Sequence, residues 1–197
     1  MTLPNKLTLM RIALVPLMVV IAFVPFFSNH FIGTISLANF INVIIFVAAS
    51  LTDFLDGYLA RKNNQVTTFG KFADPIADKL LVVSALIILM VQFSGDIWWY
   101  LPAWSVIIII AREFIVSGIR LVMAQRNVVV HASWFGKVKT FTTMVAITIL
   151  FLYQIPIFNI PLFGIVGAIM MYVALLFTIL SGVEYFMKSK EILLESV

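Results

Sequence analysis

The sequence predicts an all-α integral membrane protein with six transmembrane helices and both termini in the cytoplasm. Its mean hydropathy is +1.11, and only 11% of its residues are charged, whereas about 25% are charged in a typical soluble domain. Six apolar runs follow one another with short interruptions. A helix needs about 20 apolar residues to cross a bilayer core of about 30 Å, and the runs are close to that length.

The short polar segments between the runs predict a single domain over residues 1–197. The first run lacks the small-residue cleavage site of a signal peptide and leads directly into another span, so we expect it to be retained as a helix. The absence of cysteine excludes disulfides and cysteine metal sites. The predicted spans occupy 12–28, 36–61, 72–93, 102–124, 138–155 and 160–186.

The distribution of lysine and arginine predicts the orientation of these spans, because cytoplasmic loops carry the positive charge. The loops FFSNHFIG, FSGDIWWY and YQIPIFNIP contain neither residue and are predicted to lie outside. At one outer boundary we expect an aromatic belt of Trp98, Trp99, Tyr100 and Trp104. The net charge of +4 is then explained by topology and anionic lipid, and we expect no nucleic-acid partner. The residues predicted to be cytoplasmic are Lys6, Arg11, Arg61, Lys62, Lys71, Arg126, Lys137, Lys139, Lys188 and Lys190.

Four aspartates are concentrated in the stretch LTDFLDGYLARKNNQVTTFGKFADPIADKL, residues 51–80. Asp53 and Asp56 are three residues apart near the end of the second predicted span, and Asp74 and Asp78 are four apart at the start of the third. Each pair therefore shares one face of a helix. The short connection RKNNQVTTFG makes the two helices antiparallel neighbours, so the two pairs can meet at one depth.

These carboxylates predict a divalent metal site. Asp53 lies about two turns inside an apolar run, where a charge costs roughly 2.5 to 3.5 kcal/mol. Four like charges repel unless a cation neutralises them, and carboxylate oxygens suit Mg²⁺, Mn²⁺ or Ca²⁺. Four carboxylates suffice for two ions, and paired metals recur in displacements at phosphorus. The plainer interpretation is that the aspartates are solvated helix ends or pair with Arg61, Lys62 and Lys79.

The same stretch resembles the signature of the CDP-alcohol phosphatidyltransferase family. The resemblance implies a six-helix membrane fold, usually homodimeric, whose site opens to the cytoplasm. It also implies a reaction in which an alcohol displaces CMP from a CDP-linked lipid. The positions that match the signature at its spacing are Asp53, Asp56, Gly57, Ala60, Arg61, Gly70, Asp74 and Asp78.

The resemblance assigns roles to these positions. It implies that Asp53, Asp56, Asp74 and Asp78 hold Mg²⁺ or Mn²⁺, and that Asp78 is also the catalytic base. The residues that it implies around the CDP-lipid are Asp56, Gly57, Ala60, Arg61 and Gly70.

A second group of charged residues predicts a pocket for the acceptor alcohol. Arg112 lies too deep in the fourth run for its charge to reach water easily, so it needs an internal partner or an anionic ligand. We expect Arg112, Arg120, Lys137 and Lys139 to bind a phosphate, because arginine recognises phosphate bidentately and lysine adds charge. The alternative is an ion pair between Arg112 and Glu113 or one of the aspartates.

Three further segments, PNKLTLMRI, AREFIVSGIR and GKVKT, resemble the branch of this family whose acceptor is sn-glycerol 3-phosphate. Asn5, Thr8 and Arg11 lie in the first segment. We expect them in a short interfacial N-terminal segment that caps the CDP-lipid site, with Asn5 and Thr8 contacting the lipid. The alternative for these residues is anchoring to the membrane surface.

The resemblance therefore implies a cell-membrane transferase of phospholipid biosynthesis that uses CDP-diacylglycerol and sn-glycerol 3-phosphate. One alternative keeps the chemistry but changes the acceptor to inositol phosphate, serine or phosphatidylglycerol. Another is a divalent-cation transporter, since intramembrane carboxylates also mark ion paths. Against transport, the outer half of the chain offers only Asp96 as an acidic counterpart.

Overall fold

The computed structural model of the chain is a bundle of six long helices. The structure describes residues 3–29, 31–32, 35–62, 68–93, 95, 97–125, 133–155 and 158–194. The helices are α1 (Leu3–Phe23), α2 (Pro25–Asn29), α3 (Leu37–Lys62), α4 (Thr68–Gln92), α5 (Ala103–Gln125), α6 (Trp134–Tyr153) and α7 (Pro161–Leu194), with a 3₁₀ turn at Trp98–Tyr100. Two short strands, β1 (Phe31–Ile32) and β2 (Ile35–Ser36), pair antiparallel between α2 and α3.

The all-helical fold class is confirmed, and each of the six predicted runs corresponds to one long helix. The first run differs most, because α1 begins at Leu3 and ends at Phe23 instead of spanning 12–28. Val24 lies outside the helix, and Pro25 starts the short helix α2. Proline lacks a backbone N–H and is tolerated in the first turn of a helix, so the break before Pro25 follows from its chemistry.

Three segments of the described chain are long and apolar enough to cross a membrane. They are Asn5–Phe23, Trp134–Tyr153 and Pro161–Lys190. Within the described side chains of α3, Leu37–Thr52 forms a further, shorter apolar segment. Both α4 and α5 carry charged side chains that line a cavity. Six membrane spans, cytoplasmic termini and a dimer remain predictions.

Contacts between helix ends show that successive helices run in opposite directions. The ring of Tyr100, just before α5, lies 5.7 Å from that of Phe93 at the end of α4 and 5.3 Å from that of Tyr153 at the end of α6. The side chain of Gln92 donates a 2.8 Å hydrogen bond to Asn39 at the start of α3. The opposite end of the bundle therefore contains the starts of α4 and α6 and the end of α5.

The prediction that Tyr100 belongs to an aromatic belt is wrong. Trp98, Trp99 and Trp104 are exposed, as a belt requires, but Tyr100 is only 5% exposed. Its ring packs edge-on against Phe93, so it closes this end of the bundle from within. Hydropathy assigns all four aromatic residues to one boundary of the membrane. Only the packing of the folded chain shows that Tyr100 points inward while the three tryptophans point outward.

The start of α7 packs closely against Tyr100. A methyl group at Gly164 would lie 2.6 Å from two ring carbons of Tyr100, which is well inside van der Waals contact. We expect Gly164→Ala to destabilise the protein by about 1 to 3 kcal/mol, because overpacking forces a buried ring to move. Thermal unfolding of the detergent-solubilised variant measures this.

Gly118→Ala is the matched control for this prediction. A methyl group there meets nothing within 4 Å, and alanine is favoured over glycine inside a helix by about 0.5 to 1 kcal/mol. We therefore expect the melting temperature of Gly118→Ala to be unchanged or slightly raised. If both variants melted together, the close contact between α7 and Tyr100 would be refuted.

Candidate active site

A cavity of about 710 Å³ lies at the end of the bundle opposite Tyr100. Five of the long helices contribute to its walls, α3 through Ser50 and the others through charged or aromatic side chains. Among the described residues, the polar and charged ones that line it are Ser50, Asp78, Lys79, Arg112, Glu113, Ser117, Arg120, Lys137, Lys139, Thr140 and Tyr185.

The structure brings the four predicted acceptor-binding cations to this one cavity, together with Asp78. Arg112 and Arg120 are eight residues apart on α5, so they lie on the same side of the helix. Lys137 and Lys139 lie in the first turns of α6, which begins where the Ser133 side chain accepts a 3.1 Å hydrogen bond from the backbone N–H of Gly136. This cap fixes the start of α6 and so places both lysines beside α5.

Glu113 joins two of these cations. Its Oε1 atom accepts a 3.0 Å hydrogen bond from Arg112 Nη1, and the ammonium of Lys139 donates to the same oxygen. The ion pair between Arg112 and Glu113 that the sequence suggested as an alternative is therefore present. It does not exclude a phosphate pocket, because a guanidinium has five N–H donors and Glu113 takes only one of those of Arg112.

The described lining of the cavity carries an excess of positive charge. Among the described residues, five cationic and two anionic side chains line it, which leaves three positive charges in excess. Lys79 is the cation that the sequence interpretation considered only as an ion-pair partner of the aspartates. Its ammonium donates to Ser117 Oγ, and that hydroxyl donates a 2.6 Å hydrogen bond to the backbone oxygen of Glu113. Lys79 thus ties α4 to α5 next to Asp78.

Two residues of α7 that the sequence interpretation missed hold the arginines of α5. Ser181 Oγ accepts a 3.0 Å hydrogen bond from Arg112 Nη2. The hydroxyl of Tyr185 accepts from Arg120 Nε at 3.2 Å and Nη2 at 2.5 Å. The one available signal was the serine-glycine pair at 181–182 inside an otherwise apolar run.

The N-terminal residues Asn5, Thr8 and Arg11 face the interior of the protein. They recur every third residue in the first turns of α1, and all three are buried. These turns are continuous with the first apolar helix, so the N-terminal segment and the first predicted span form one helix. Their burial inside the bundle also argues against membrane-surface anchoring. Thr8 Oγ1 donates a 2.6 Å hydrogen bond to Asp74 Oδ1.

The aspartate signature is described only in part. Asp74 and Asp78 lie one turn apart near the start of α4, and Asp78 faces the cavity. Within the side chains that the structure describes, no group of three or more histidine, cysteine, aspartate or glutamate residues could hold a metal. Of the four aspartates predicted to bind metal, Asp74 and Asp78 have described side chains. Carboxylates suit a hard cation, and Thr8 orients that of Asp74. Of the signature positions, those whose side chains lie outside the described residues are Asp53, Asp56, Gly57, Ala60, Arg61 and Gly70.

Comparison with known proteins gives matches over nearly the whole chain. The family model for CDP-alcohol phosphatidyltransferase matches residues 1–180. A protein of Bacillus subtilis (strain 168) named CDP-diacylglycerol–glycerol-3-phosphate 3-phosphatidyltransferase is 48% identical, over 97% of this chain and 96% of its own. Proteins with the same name are similar in Rickettsia bellii (42% identical, 96% of each chain) and Haemophilus influenzae (38%, 98% of this chain and 96% of its own).

Proposed function

Because the chain belongs to the CDP-alcohol phosphatidyltransferase family, we propose that it transfers the phosphatidyl group from CDP-diacylglycerol to sn-glycerol 3-phosphate. The products are phosphatidylglycerophosphate and CMP, and the pathway is phospholipid biosynthesis. The observation that carries this proposal is the cavity that combines Asp78 with Arg112, Arg120, Lys137 and Lys139. A carboxylate able to accept a proton there adjoins a cationic surface able to hold a phosphate.

The charge of the cavity supports a phosphorylated acceptor. A phosphate monoester carries between one and two negative charges at neutral pH, since its second pKa is about 6. The excess of three positive charges among the described lining residues suits an anionic phosphate. Serine is a zwitterion without net charge, so this lining suits it poorly. Inositol phosphate is also a phosphate monoester, and here the names of the relatives favour glycerol 3-phosphate.

Asp78 is the proposed general base. It takes the proton of the primary hydroxyl of glycerol 3-phosphate, the hydroxyl oxygen bonds to the lipid-linked phosphorus, and the bond to the CMP oxygen breaks. The arginines and lysines hold the phosphate of the acceptor, which fixes its hydroxyl relative to Asp78. Positioning of this kind accounts for a large part of the catalysis of bimolecular reactions.

The aspartates are proposed to hold divalent metal, Mg²⁺ or Mn²⁺, as two ions per protomer bound by Asp53, Asp56, Asp74 and Asp78. Bound metal would neutralise charge on the pyrophosphate and on the departing CMP. The proposed CDP-lipid site comprises Asp56, Gly57, Ala60, Arg61 and Gly70, with Asn5 and Thr8 from α1 beside it.

The proposed location is the cell membrane, with multiple spans and the active site facing the cytoplasm. The cavity supports this orientation, because it lies at the end of the bundle that carries Lys137 and Lys139 in α6 and Arg120 in α5. Positive charge of this kind is typical of the cytoplasmic side. A homodimer, which is usual in the family, is also proposed.

Release of CMP by the purified protein tests the proposal. The protein in detergent micelles receives CDP-diacylglycerol and Mg²⁺ or Mn²⁺, together with glycerol 3-phosphate, inositol phosphate, serine or no acceptor. We expect release that depends on glycerol 3-phosphate. Release with another acceptor alone would refute the assignment of the acceptor, and cation flux into vesicles without any CDP-lipid, combined with no CMP release, would favour the transporter.

The hydrogen bond from Thr8 to Asp74 predicts an effect on metal affinity. Thr8 is 1% exposed, so its hydroxyl can hold Asp74 Oδ1 in one orientation. Loss of such a supporting contact typically costs 10- to 100-fold in metal affinity or activity. We expect Thr8→Val to raise the Mg²⁺ or Mn²⁺ concentration for half-maximal CMP release by about 10-fold or more.

Thr8→Ser is the control for this effect. Serine retains the hydroxyl, so its metal dependence should resemble that of the unmodified protein. Equal metal dependence of Thr8→Val and Thr8→Ser would show that Thr8 does not support a metal ligand.

A further inference from the structure

We propose that the turn of α7 from Ser181 to Tyr185 is a positioning element for acceptor binding, which sets the guanidinium groups of Arg112 and Arg120 in place for the phosphate. The inference rests on the proposed function and deepens it. Tyr185 lines the cavity, but neither Ser181 nor Tyr185 was among the residues predicted from the sequence for the aspartate signature or for the acceptor phosphate. They act through the arginines and are not themselves assigned to the reacting atoms.

Ser181 and Gly182 hold Arg112. Ser181 Oγ donates to the backbone oxygen of Phe177 at 2.6 Å, so its hydrogen is committed to its own helix. A lone pair of Ser181 is then left to accept from Arg112 Nη2. Gly182 gives the arginine stem room, because a methyl group there would lie 3.3 Å from Arg112 Cγ. Arg112 is thus held between Glu113 on one side and α7 on the other.

Tyr185 contacts both arginines. It is 2% exposed, so its position is fixed by the surrounding protein. Its hydroxyl accepts both hydrogen bonds from Arg120, and its ring centroid lies 5.1 Å from the guanidinium carbon of Arg120 and 5.9 Å from that of Arg112. Both distances are within the range of cation–π attraction. One buried ring therefore couples two cations of the acceptor pocket.

This arrangement should matter for affinity because arginine side chains are long and flexible. Holding such a side chain in one conformation before the ligand arrives reduces the conformational entropy lost on binding. Arg120 is exposed at the cavity, and the hydroxyl of Tyr185 restrains it on the side facing α7. The Nη groups of Arg112 and Arg120 retain hydrogens beyond those used in these bonds, and both residues line the cavity, so these groups can donate to the phosphate.

Substitution of Tyr185 tests the proposal through the separate kinetic constants of the two substrates. We expect Tyr185→Leu to raise KM for glycerol 3-phosphate about 10- to 100-fold, since it removes the cation–π contacts and a hydrogen bond to a charged group. The kcat value and KM for CDP-diacylglycerol should stay within about twofold. Tyr185→Phe should give a smaller rise, because the ring is retained and only the hydroxyl is lost.

Tyr172→Leu is the matched control. Tyr172 lies on the same helix, but its hydroxyl donates to the backbone oxygen of Trp99 at the other end of the bundle. The Tyr172→Leu substitution should leave KM for glycerol 3-phosphate and KM for CDP-diacylglycerol unchanged. An unchanged KM for glycerol 3-phosphate in Tyr185→Leu, or a fall in kcat alone, would overturn the proposal. If Tyr185→Leu does not fold, Tyr185→Phe and Ser181→Ala decide the question by the same criterion.

The failure of the proposed function can be distinguished from the failure of this inference. If the unmodified protein released no CMP in response to glycerol 3-phosphate, the proposed function would fail before any variant was compared. Calorimetric binding of inorganic phosphate to the unmodified protein and to Tyr185→Leu would then still test the positioning role. We expect weaker binding by the variant, and equal dissociation constants would overturn the inference.

Discussion

Asp78→Asn is expected to lower the rate of CMP release by about 10²- to 10⁴-fold at saturating concentrations of both substrates, which is the usual contribution of a general base. Asp78 lies on α4 and lines the cavity beside Lys79, close to the cations proposed to hold the acceptor. Asparagine preserves the shape of the side chain but cannot take a proton from the hydroxyl. Single-turnover assays of CMP release measure the chemical step directly.

Glu184→Gln is the control for this prediction. Glu184 lies on α7 and pairs with Lys188 at 2.5 Å. Neither residue of this pair is among the described residues that line the cavity. Its neutralisation should leave the rate unchanged. An Asp78→Asn variant that retained more than about a tenth of the rate would show that another group is the base.

Arg112→Gln is expected to reduce kcat/KM for glycerol 3-phosphate by about 10²- to 10⁴-fold. A hydrogen bond to a charged group contributes about 1.5 to 3 kcal/mol, and a guanidinium can make two to one phosphate. KM for CDP-diacylglycerol should change little, because Arg112 is assigned to the acceptor. Initial rates of CMP release with each substrate varied in turn separate the two effects.

Lys188→Gln controls for the loss of a positive charge. Lys188 lies at the same end of α7 as the cavity, and its side chain is 58% exposed. Its removal should not affect either substrate. Equal losses for CDP-diacylglycerol and glycerol 3-phosphate in Arg112→Gln would indicate general damage to the site and contradict a specific acceptor pocket.

The structure also bears on the transporter alternative. The cavity lies at one end of the bundle, and the other end is filled by the mutually packed rings of Phe93, Tyr100 and Tyr153. Between them lie buried apolar side chains such as Leu89 and Phe151. Among the described residues, the cavity is therefore reached from one end of the bundle, as a transferase site requires. One state of an alternating-access transporter is also open on one side only, so CMP release and cation flux decide between the two functions.

Much of the fold and of the site was determined by the sequence itself. Apolar runs close to the length of a membrane span correspond to all six long helices, and helical periodicity places Asp74 and Asp78 one turn apart on α4. The depth of Arg112 in an apolar run indicated an internal partner or an anionic ligand. In the structure it has the partner Glu113 and also lines the cavity.

The tertiary structure decided what hydropathy and spacing do not describe. α1 begins at Leu3 although Asn5, Thr8 and Arg11 interrupt its apolar pattern, because these side chains are buried against protein and not lipid. Tyr185 meets Arg120 across 65 residues of sequence. Hydropathy measures the free energy of transferring one residue into lipid, and sequence spacing predicts which residues are neighbours on the same helix. Contacts between helices depend on how distant segments pack, and here those contacts position the acceptor cations.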